Sequence, residues 1–262
     1  MLDITYPPVI ITAKLAFRLL GQRFQLSGTE NVPRKGGVLL AINHTGYVDF
    51  IYGGLAAHPS KRLVRFMIKR EMMDKPGVGH LLRSFHHISV DRGAGEQSMR
   101  DALDYLKAGE AVGIYPEATI SRSFEIKALK TGAVRIAADA GVPLVPVVIW
   151  GAHRLMTKDH PRDFSRSRKT IAVRVGKPLY PTGENPAAET ADLHAALQQL
   201  LDEAIAGYPE DEKAPGSWWT PARFGGSAPT PEEAKRLDRE ELAARAAKRA
   251  AKRAEQKDSS TS

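Results

Sequence analysis

The chain has 262 residues, of which 42% are hydrophobic, and this supports one α/β domain of about 200 residues with an extension. It contains no cysteine, which excludes disulfides, thiolate nucleophiles and cysteine-ligated zinc sites. The formal net charge of +8 favours an anionic partner. Because no nucleic-acid-binding motif is present, we expect that partner to be acidic lipid or a phosphorylated small molecule.

Residues 1–23 are predicted to form an amphipathic helix. Pro7 and Pro8 suit a helix start, and Lys14 and Arg18 then share one face of the helix. The apolar stretch is too short and too interrupted by charge to cross a bilayer, which takes about 20 apolar residues. Two interpretations are open, because the helix can lie in the membrane interface or pack on the protein's own core.

Residues 24–207 are predicted to form the main domain, because strands alternate with helices along this range. The predicted strands cover residues 24–27, 38–42, 64–68, 88–90, 111–115, 144–150 and 169–175. The predicted helices cover residues 50–55, 75–84, 97–108, 131–140 and 188–206. This order predicts an α/β fold in which helices cover a central sheet.

Residues 208–262 are predicted to form a C-terminal extension. Its first part is rich in Pro, Gly and Ser and contains Trp218 and Trp219, which either cap the core or sit at a membrane interface. Residues 231–257 are rich in Ala, Arg, Lys and Glu, which predicts a solvated helix or a partly disordered tail. A basic arm that touches anionic lipid is the alternative.

His44 and Asp49 are the strongest chemical signal in the sequence. The apolar run 38–42 predicts a buried strand before them, and residues 50–55 predict a helix that has Asp49 near its start. An aspartate in this position can hold one imidazole nitrogen, which leaves the other free to take a proton from a hydroxyl. A histidine and an aspartate at this spacing also occur together by chance, so the prediction of a general base depends on further motifs.

Three further motifs follow along the chain. Arg92 follows a predicted strand, and an arginine suits bidentate contact with phosphate or carboxylate, or a surface ion pair. Glu117 follows a strand and Pro116, where a carboxylate can bind acceptor hydroxyls, orient the loop backbone or cap a helix. The apolar run 141–148 predicts a further strand.

Taken in order, these motifs resemble those of the glycerolipid acyltransferases of the lysophosphatidic acid acyltransferase family. The resemblance covers roughly residues 25–205. The family's His-x4-Asp, arginine, Pro-Glu-Gly-Thr and Val-Pro blocks match His44 to Asp49, Asp91-Arg92, Pro116 to Thr119 and Val142 to Pro146. Residues 219–231 are similar to a C-terminal extension of actinobacterial members.

The resemblance implies a single acyltransferase domain with a mixed central sheet. It implies direct acyl transfer from an acyl-CoA or acyl-carrier-protein thioester to a lysophospholipid hydroxyl, giving phosphatidic acid, with no metal and no cofactor beyond this co-substrate. His44 is then the general base, Asp49 orients it, Arg92 and Glu117 place the acceptor, and Thr119 supports the loop. Peripheral binding to an anionic membrane, at the cytoplasmic face of the plasma membrane, is expected. Backbone N–H groups near His44 are a hypothetical site for the oxyanion.

The third motif departs from the family pattern at two positions. Ala118 replaces the usual glycine, and Ile120 replaces an arginine that is linked with the acceptor phosphate. Arg122 and Lys130 are candidates to bind that phosphate instead. The alternatives are a phosphate bound elsewhere, a different lyso- or glycolipid acceptor, or a non-catalytic lipid-binding scaffold. The intact His44 and Asp49 argue against the scaffold.

Overall fold

The computed structural model of the protein describes residues 6–91 and 95–259. The chain divides into two compact units. The first unit comprises the chain up to Ser121 together with Ile126–Ala214, and it holds the sheet. The second unit comprises Arg122–Glu125 together with the chain from Pro215 onward.

The strands and helices predicted within residues 24–207 are confirmed, with bounds that agree to within three residues. The N-terminal helix ends at Leu19, four residues before the predicted end at residue 23. The strands are β1 Arg23–Ser27, β2 Val38–Ile42, β3 Val64–Lys69, β4 Ile88–Val90, β5 Ala111–Ile114, β6 Leu144–Trp150 and β7 Thr170–Val175. The helices are α1 Tyr6–Leu19, α2 Asp49–Ala57, α3 Arg70–Met73, α4 Val78–Ser84, α5 Gly95–Lys107, α6 Gly132–Ala140, α7 Pro186–Ala206 and α8 Pro231–Ser259. The short helix α3 was not predicted.

The seven strands form one mixed sheet in the order β1-β7-β6-β2-β5-β3-β4. All neighbouring pairs are parallel except β6 and β7, which are antiparallel. The central strand β2 pairs with β5 on one side and β6 on the other, so that Leu40 lies beside both Gly113 and Val145. The fold expected from the resemblance, a mixed central sheet flanked by helices, is therefore confirmed.

Both faces of the central sheet are covered, which explains why β2 and β6 are continuous apolar runs instead of alternating patterns. Every residue of these two strands is buried. Alternate β2 residues beginning at Val38 share a core cluster with Tyr52 and Ala56 of α2. Helices α5, α6 and α7 pack on the sheet and against one another in sequence. Each fully buried aliphatic side chain contributes roughly 1.5–3 kcal/mol of transfer free energy, so these strands anchor the unit.

Helix α1 uses its two faces differently. The Phe17 ring stacks on Tyr52 at 5.3 Å between centroids, and the Tyr6 hydroxyl donates to the Val64 carbonyl oxygen at 2.8 Å. Ile11, Leu15 and Leu19 lie four residues apart and remain exposed. The helix therefore packs on the protein's own core along one side and leaves an apolar stripe along another. Within the described residues, no helix is long and apolar enough to cross a membrane.

In the second unit, the chain from Pro231 to Ser259 is helical, as one of the two predictions for this segment proposed. The start of α8 is a capping box: the Thr230 hydroxyl accepts from Glu233 N at 3.3 Å, and a Glu233 carboxylate oxygen accepts from Thr230 N at 2.9 Å. Pro231 occupies the first helical position, where its missing N–H costs nothing.

Candidate active site

The site lies where β2 and β5 end. His44 follows β2 and Glu117 follows β5. Because these strands are adjacent and parallel, their carboxyl ends meet at the same edge of the sheet. His44 N donates to Glu117 Oε1 at 2.8 Å, so the two motifs, 73 residues apart, are in direct contact.

Asn43 secures the chain immediately before His44. Its side-chain amide donates to the Ile149 carbonyl oxygen at 3.1 Å and accepts from Ile149 N at 2.7 Å. Its backbone N donates to the Val147 carbonyl oxygen at 3.2 Å. The buried Asn43 thus extends the pairing of β2 with β6 by one residue and fixes the backbone position of His44 at the end of β2. The sequence analysis did not assign a role to Asn43.

His44 and Asp49 are hydrogen-bonded through His44 Nδ1 and Asp49 Oδ2, at 3.0 Å. The Asp49 side chain is fully buried, while 22% of the His44 side chain is exposed. Among the described residues, none hydrogen-bonds His44 Nε2. The arrangement leaves Nε2 as the nitrogen able to accept a proton from a ligand.

The Asp49 carboxylate also accepts hydrogen bonds from the backbone. The same Oδ2 atom accepts from Thr45 N and Gly46 N, both at 2.8 Å, and Asp49 opens helix α2, where the dipole favours an anion. Gly46 allows this turn, since a Cβ there would lie 2.9 Å from the Met156 carbonyl oxygen and 3.2 Å from Asp49 Oδ1. These contacts fix the carboxylate before any ligand binds.

Tyr115, which directly precedes Pro116 and Glu117, packs on the His44 ring. The Tyr115 ring stacks on the His44 ring at 4.4 Å between centroids, with 29° between the planes. Its hydroxyl is buried and has no hydrogen-bond partner within the described part of the chain. Burial raises the pKa of Tyr115 well above its ordinary value. Sequence reasoning missed this contact, although Tyr115 lies within a recognised motif.

Glu117 is buried and binds backbone on both sides. Besides His44 N, it accepts from Lys127 N at 3.0 Å through Oε2. Burial raises the pKa of Glu117 to about 8, and the two N–H groups and the Lys127 charge oppose that rise. The sequence left several roles open for Glu117. Its contacts show one of them, because it binds and orients the loop backbone. Its predicted contact with the acceptor stays a prediction.

The remaining loop residues surround Glu117. Thr119 Oγ1 accepts from Lys127 Nζ at 2.8 Å, a contact that sequence reasoning missed. Lys130 N donates to the Pro116 carbonyl oxygen at 2.9 Å, and the Lys130 side chain is exposed. Ala118, where the family has glycine, has a φ of 61°, which is the left-handed region that glycine favours.

The cations proposed for the acceptor phosphate have different surroundings. Arg92 lies outside the described residues. Arg122 is 8% exposed and forms ion pairs with Asp238 and Glu241 of α8. A phosphate bound by Arg122 would have to displace both carboxylates. Ile120 is buried in the apolar interior.

The hypothesis that N–H groups beside His44 bind an oxyanion is wrong for residues 44–47. His44 N is bonded to Glu117, and Thr45 N and Gly46 N are bonded to Asp49. Tyr47 N donates to the Met156 carbonyl oxygen at 2.9 Å. Across the described ranges, no cluster of three or more His, Asp or Glu side chains could hold a metal ion.

The chain is similar to known acyltransferases. A family model described as Acyltransferase matches residues 23–150. The chain is 32% identical over 179 residues to a 1-acyl-sn-glycerol-3-phosphate acyltransferase of Bacillus subtilis, covering 65% of this chain and 84% of that protein. It is 27% identical over 190 residues to a protein of the same name from Pseudomonas aeruginosa, covering 71% of this chain and 70% of the relative.

The fold is also similar to a crystal structure of a 1-acyl-sn-glycerophosphate acyltransferase from Thermotoga maritima. The TM-score is 0.64 at 22% sequence identity, and the match covers 78% of this chain and 80% of that one. At this identity the likeness concerns the fold. Since the Bacillus subtilis relative is matched over most of its length, the chain belongs to the lysophosphatidic acid acyltransferase family and is an acyltransferase.

Proposed function

We propose that the protein transfers a fatty acyl group from an acyl-CoA or acyl-carrier-protein thioester to the free hydroxyl of 1-acylglycerol 3-phosphate, forming phosphatidic acid. One observation carries the proposal: buried Asp49 holds Nδ1 of His44 and leaves Nε2 available. The names of the two bacterial relatives support the choice of acceptor.

In the proposed reaction, His44 Nε2 takes the proton of the acceptor hydroxyl as the hydroxyl oxygen attacks the thioester carbonyl carbon. The tetrahedral intermediate breaks its C–S bond, and the thiolate receives the proton from the imidazolium. Products are the acyl ester and the free thiol. Asp49 stabilises the imidazolium through the charge-assisted hydrogen bond at Nδ1. A base in this role contributes about 10²–10⁴-fold.

The acceptor is proposed to bind beside the loop that follows β5. Arg92 and the exposed Lys130 are the proposed contacts for its phosphate. Thr119 and Glu117 support the loop after β5 through their contacts with Lys127. Glu117 serves the acceptor through the backbone it holds, because both of its oxygens already accept from N–H groups.

The acceptor is a lipid, and the exposed stripe on α1 is proposed to dock on an anionic bilayer surface at the cytoplasmic face of the membrane. The stripe is formed by Ile11, Leu15 and Leu19, and Lys14 and Arg18 add positive charge to the same helix. Leu15→Asp should weaken binding to anionic vesicles at least several-fold in a sedimentation assay. Leu242→Asp, at an exposed leucine of α8, is the matched control and should bind as the wild type does.

A second acceptor class is favoured by one observation. The position where the family has an arginine is occupied by buried Ile120, and Arg122 is paired with two carboxylates. This combination suits an acceptor that lacks a terminal phosphate monoester, such as another lysophospholipid or a glycolipid, with the same transfer chemistry.

Mass spectrometry of products tests both candidates. The purified protein is given one acyl-CoA or acyl-carrier protein and a panel that contains lysophosphatidic acid, zwitterionic lysophospholipids and a glycolipid. We expect phosphatidic acid as the main product and none from His44→Ala. Preferred turnover of an acceptor without a terminal phosphate monoester would establish the second candidate. Acyl transfer by a folded His44→Ala variant at the wild-type rate would refute the mechanism.

A further inference from the structure

A four-residue stretch of the loop between β5 and α6 belongs to the second compact unit. Arg122–Glu125 forms this unit together with the chain from Pro215 onward, here called the C-terminal segment. The sequence predicted Arg122 as a phosphate ligand and predicted no link between this stretch and the C-terminal segment. Arg122, Phe124 and Glu125 each contact the C-terminal segment, the first and last through ion pairs and Phe124 through a ring contact.

Arg122 makes the ionic contact. Its guanidinium group pairs through Nη1 with Asp238 and through Nη2 with Glu241 Oε2 at 2.9 Å, and the side chain is 8% exposed. Asp238 and Glu241 lie three residues apart and therefore on one face of α8. A guanidinium group that bridges two carboxylates fixes their relative orientation, because its N–H groups point in set directions, in addition to the attraction between charges.

Phe124 makes the apolar contact. Its side chain is 1% exposed, and its ring meets Trp218 edge to face at 6.1 Å between centroids. The φ of Phe124 is 57°, a left-handed conformation that is rare for a bulky residue and persists where the surroundings hold it. Glu125 adds an ion pair with Arg223 Nε at 2.5 Å. The C-terminal segment thus contacts this stretch at three of its residues, Arg122, Phe124 and Glu125.

Ser121, directly before this stretch, and Lys127, two residues after it, are hydrogen-bonded to site residues of the first unit. Ser121 N donates to the His44 carbonyl oxygen at 2.8 Å. On the other side, Lys127 N donates to Glu117, which in turn accepts from His44 N. The His44 carbonyl oxygen is therefore held directly by Ser121, and the His44 N–H is held by Glu117, whose other oxygen is bonded to Lys127.

We infer that the C-terminal segment positions the active-site loop, and that Arg122 is a positioning residue for His44 that acts through its ion pairs with Asp238 and Glu241. The inference rests on the proposed function, because it assigns Arg122 to base alignment and leaves phosphate binding to other cations. The two roles predict different kinetic effects. Loss of a side chain that binds the phosphate raises the acceptor KM, whereas loss of a residue that positions the base lowers kcat.

The test compares Arg122→Gln with the double variant Asp238→Asn/Glu241→Gln, which keeps Arg122 and removes both of its carboxylate partners. Lysophosphatidic acid and an acyl-CoA are the probes, and kcat and acceptor KM are measured separately by thiol release. Both variants should lower kcat by about 10–100-fold, the scale of a misplacement near 1 Å, with the acceptor KM within twofold of the wild type. Glu240→Gln, which removes an exposed pair with Arg236 on the same helix, is the matched control.

A third variant covers the case in which these proteins fail to fold. Arg122→Glu/Asp238→Arg/Glu241→Arg restores the ion pairs with inverted charge, and kcat should return to within about threefold of the wild type. The inference is overturned if Arg122→Gln raises the acceptor KM at unchanged kcat, or if the folded double variant retains wild-type kcat. A wild-type protein that turns over no acceptor would instead refute the proposed function.

Discussion

Asp49→Asn isolates the charge of the carboxylate that holds His44. The substitution keeps the shape of a fully buried side chain whose Oδ2 accepts from Thr45 N, Gly46 N and His44 Nδ1. Because both backbone N–H groups need an acceptor, the asparagine oxygen should occupy the Oδ2 position. The imidazole therefore keeps its tautomer and loses only the negative charge opposite it.

The size of the effect follows from these contacts. A hydrogen bond to a charged group contributes about 1.5–3 kcal/mol and a neutral one about 1 kcal/mol, so the imidazolium loses about 0.5–2 kcal/mol of stabilisation. At about 1.4 kcal/mol for each factor of ten, kcat should fall roughly 2–30-fold. Asp49→Ala additionally leaves the N–H groups of Thr45 and Gly46 unpaired and buried, which costs about 1–3 kcal/mol each in the free energy of unfolding.

The assay is thiol release from an acyl-CoA at saturating acceptor, combined with urea unfolding of each variant. We expect Asp49→Asn to fold with a modest loss of stability and reduced kcat, and Asp49→Ala to lose several kcal/mol. Wild-type kcat in Asp49→Asn would show that the charge does not support the base and that Asp49 serves only to hold the turn.

Three further predictions concern the loop after β5. The folded-state pKa of Glu117, about 8, lies above its ordinary 4.5, so the protein should lose stability as the pH rises from 5 to 8. Glu117→Gln should remove up to about 4 kcal/mol of that dependence in unfolding titrations; equal slopes would contradict the raised pKa. Ala118→Gly should raise the free energy of unfolding by about 1 kcal/mol, because it relieves a left-handed alanine, and a loss would show that the strain is absent. Tyr115→Phe should raise the melting temperature, since it removes a buried, unpartnered hydroxyl; a lower value would indicate a bound water or another partner.

The sequence by itself determined the features that depend on neighbouring residues. The apolar run of β2, the turn after it and the start of α2 place His44 and Asp49 within five residues of each other, and local geometry brings them together. The bounds of most strands and helices were also predictable, because hydrophobic periodicity and capping depend on residues that are close in sequence. The exceptions are α3 and the end of α1.

Only the tertiary structure decided the contacts that join distant parts of the chain. Glu117 reaches His44 because β5 lies beside β2, and no local pattern specifies strand order. Arg122 looked available for a phosphate, yet its partners Asp238 and Glu241 lie 116 and 119 residues away, on a helix with several other acidic residues. The residues around a charged side chain in the sequence do not identify its ion-pair partner, because tertiary packing determines which charges meet.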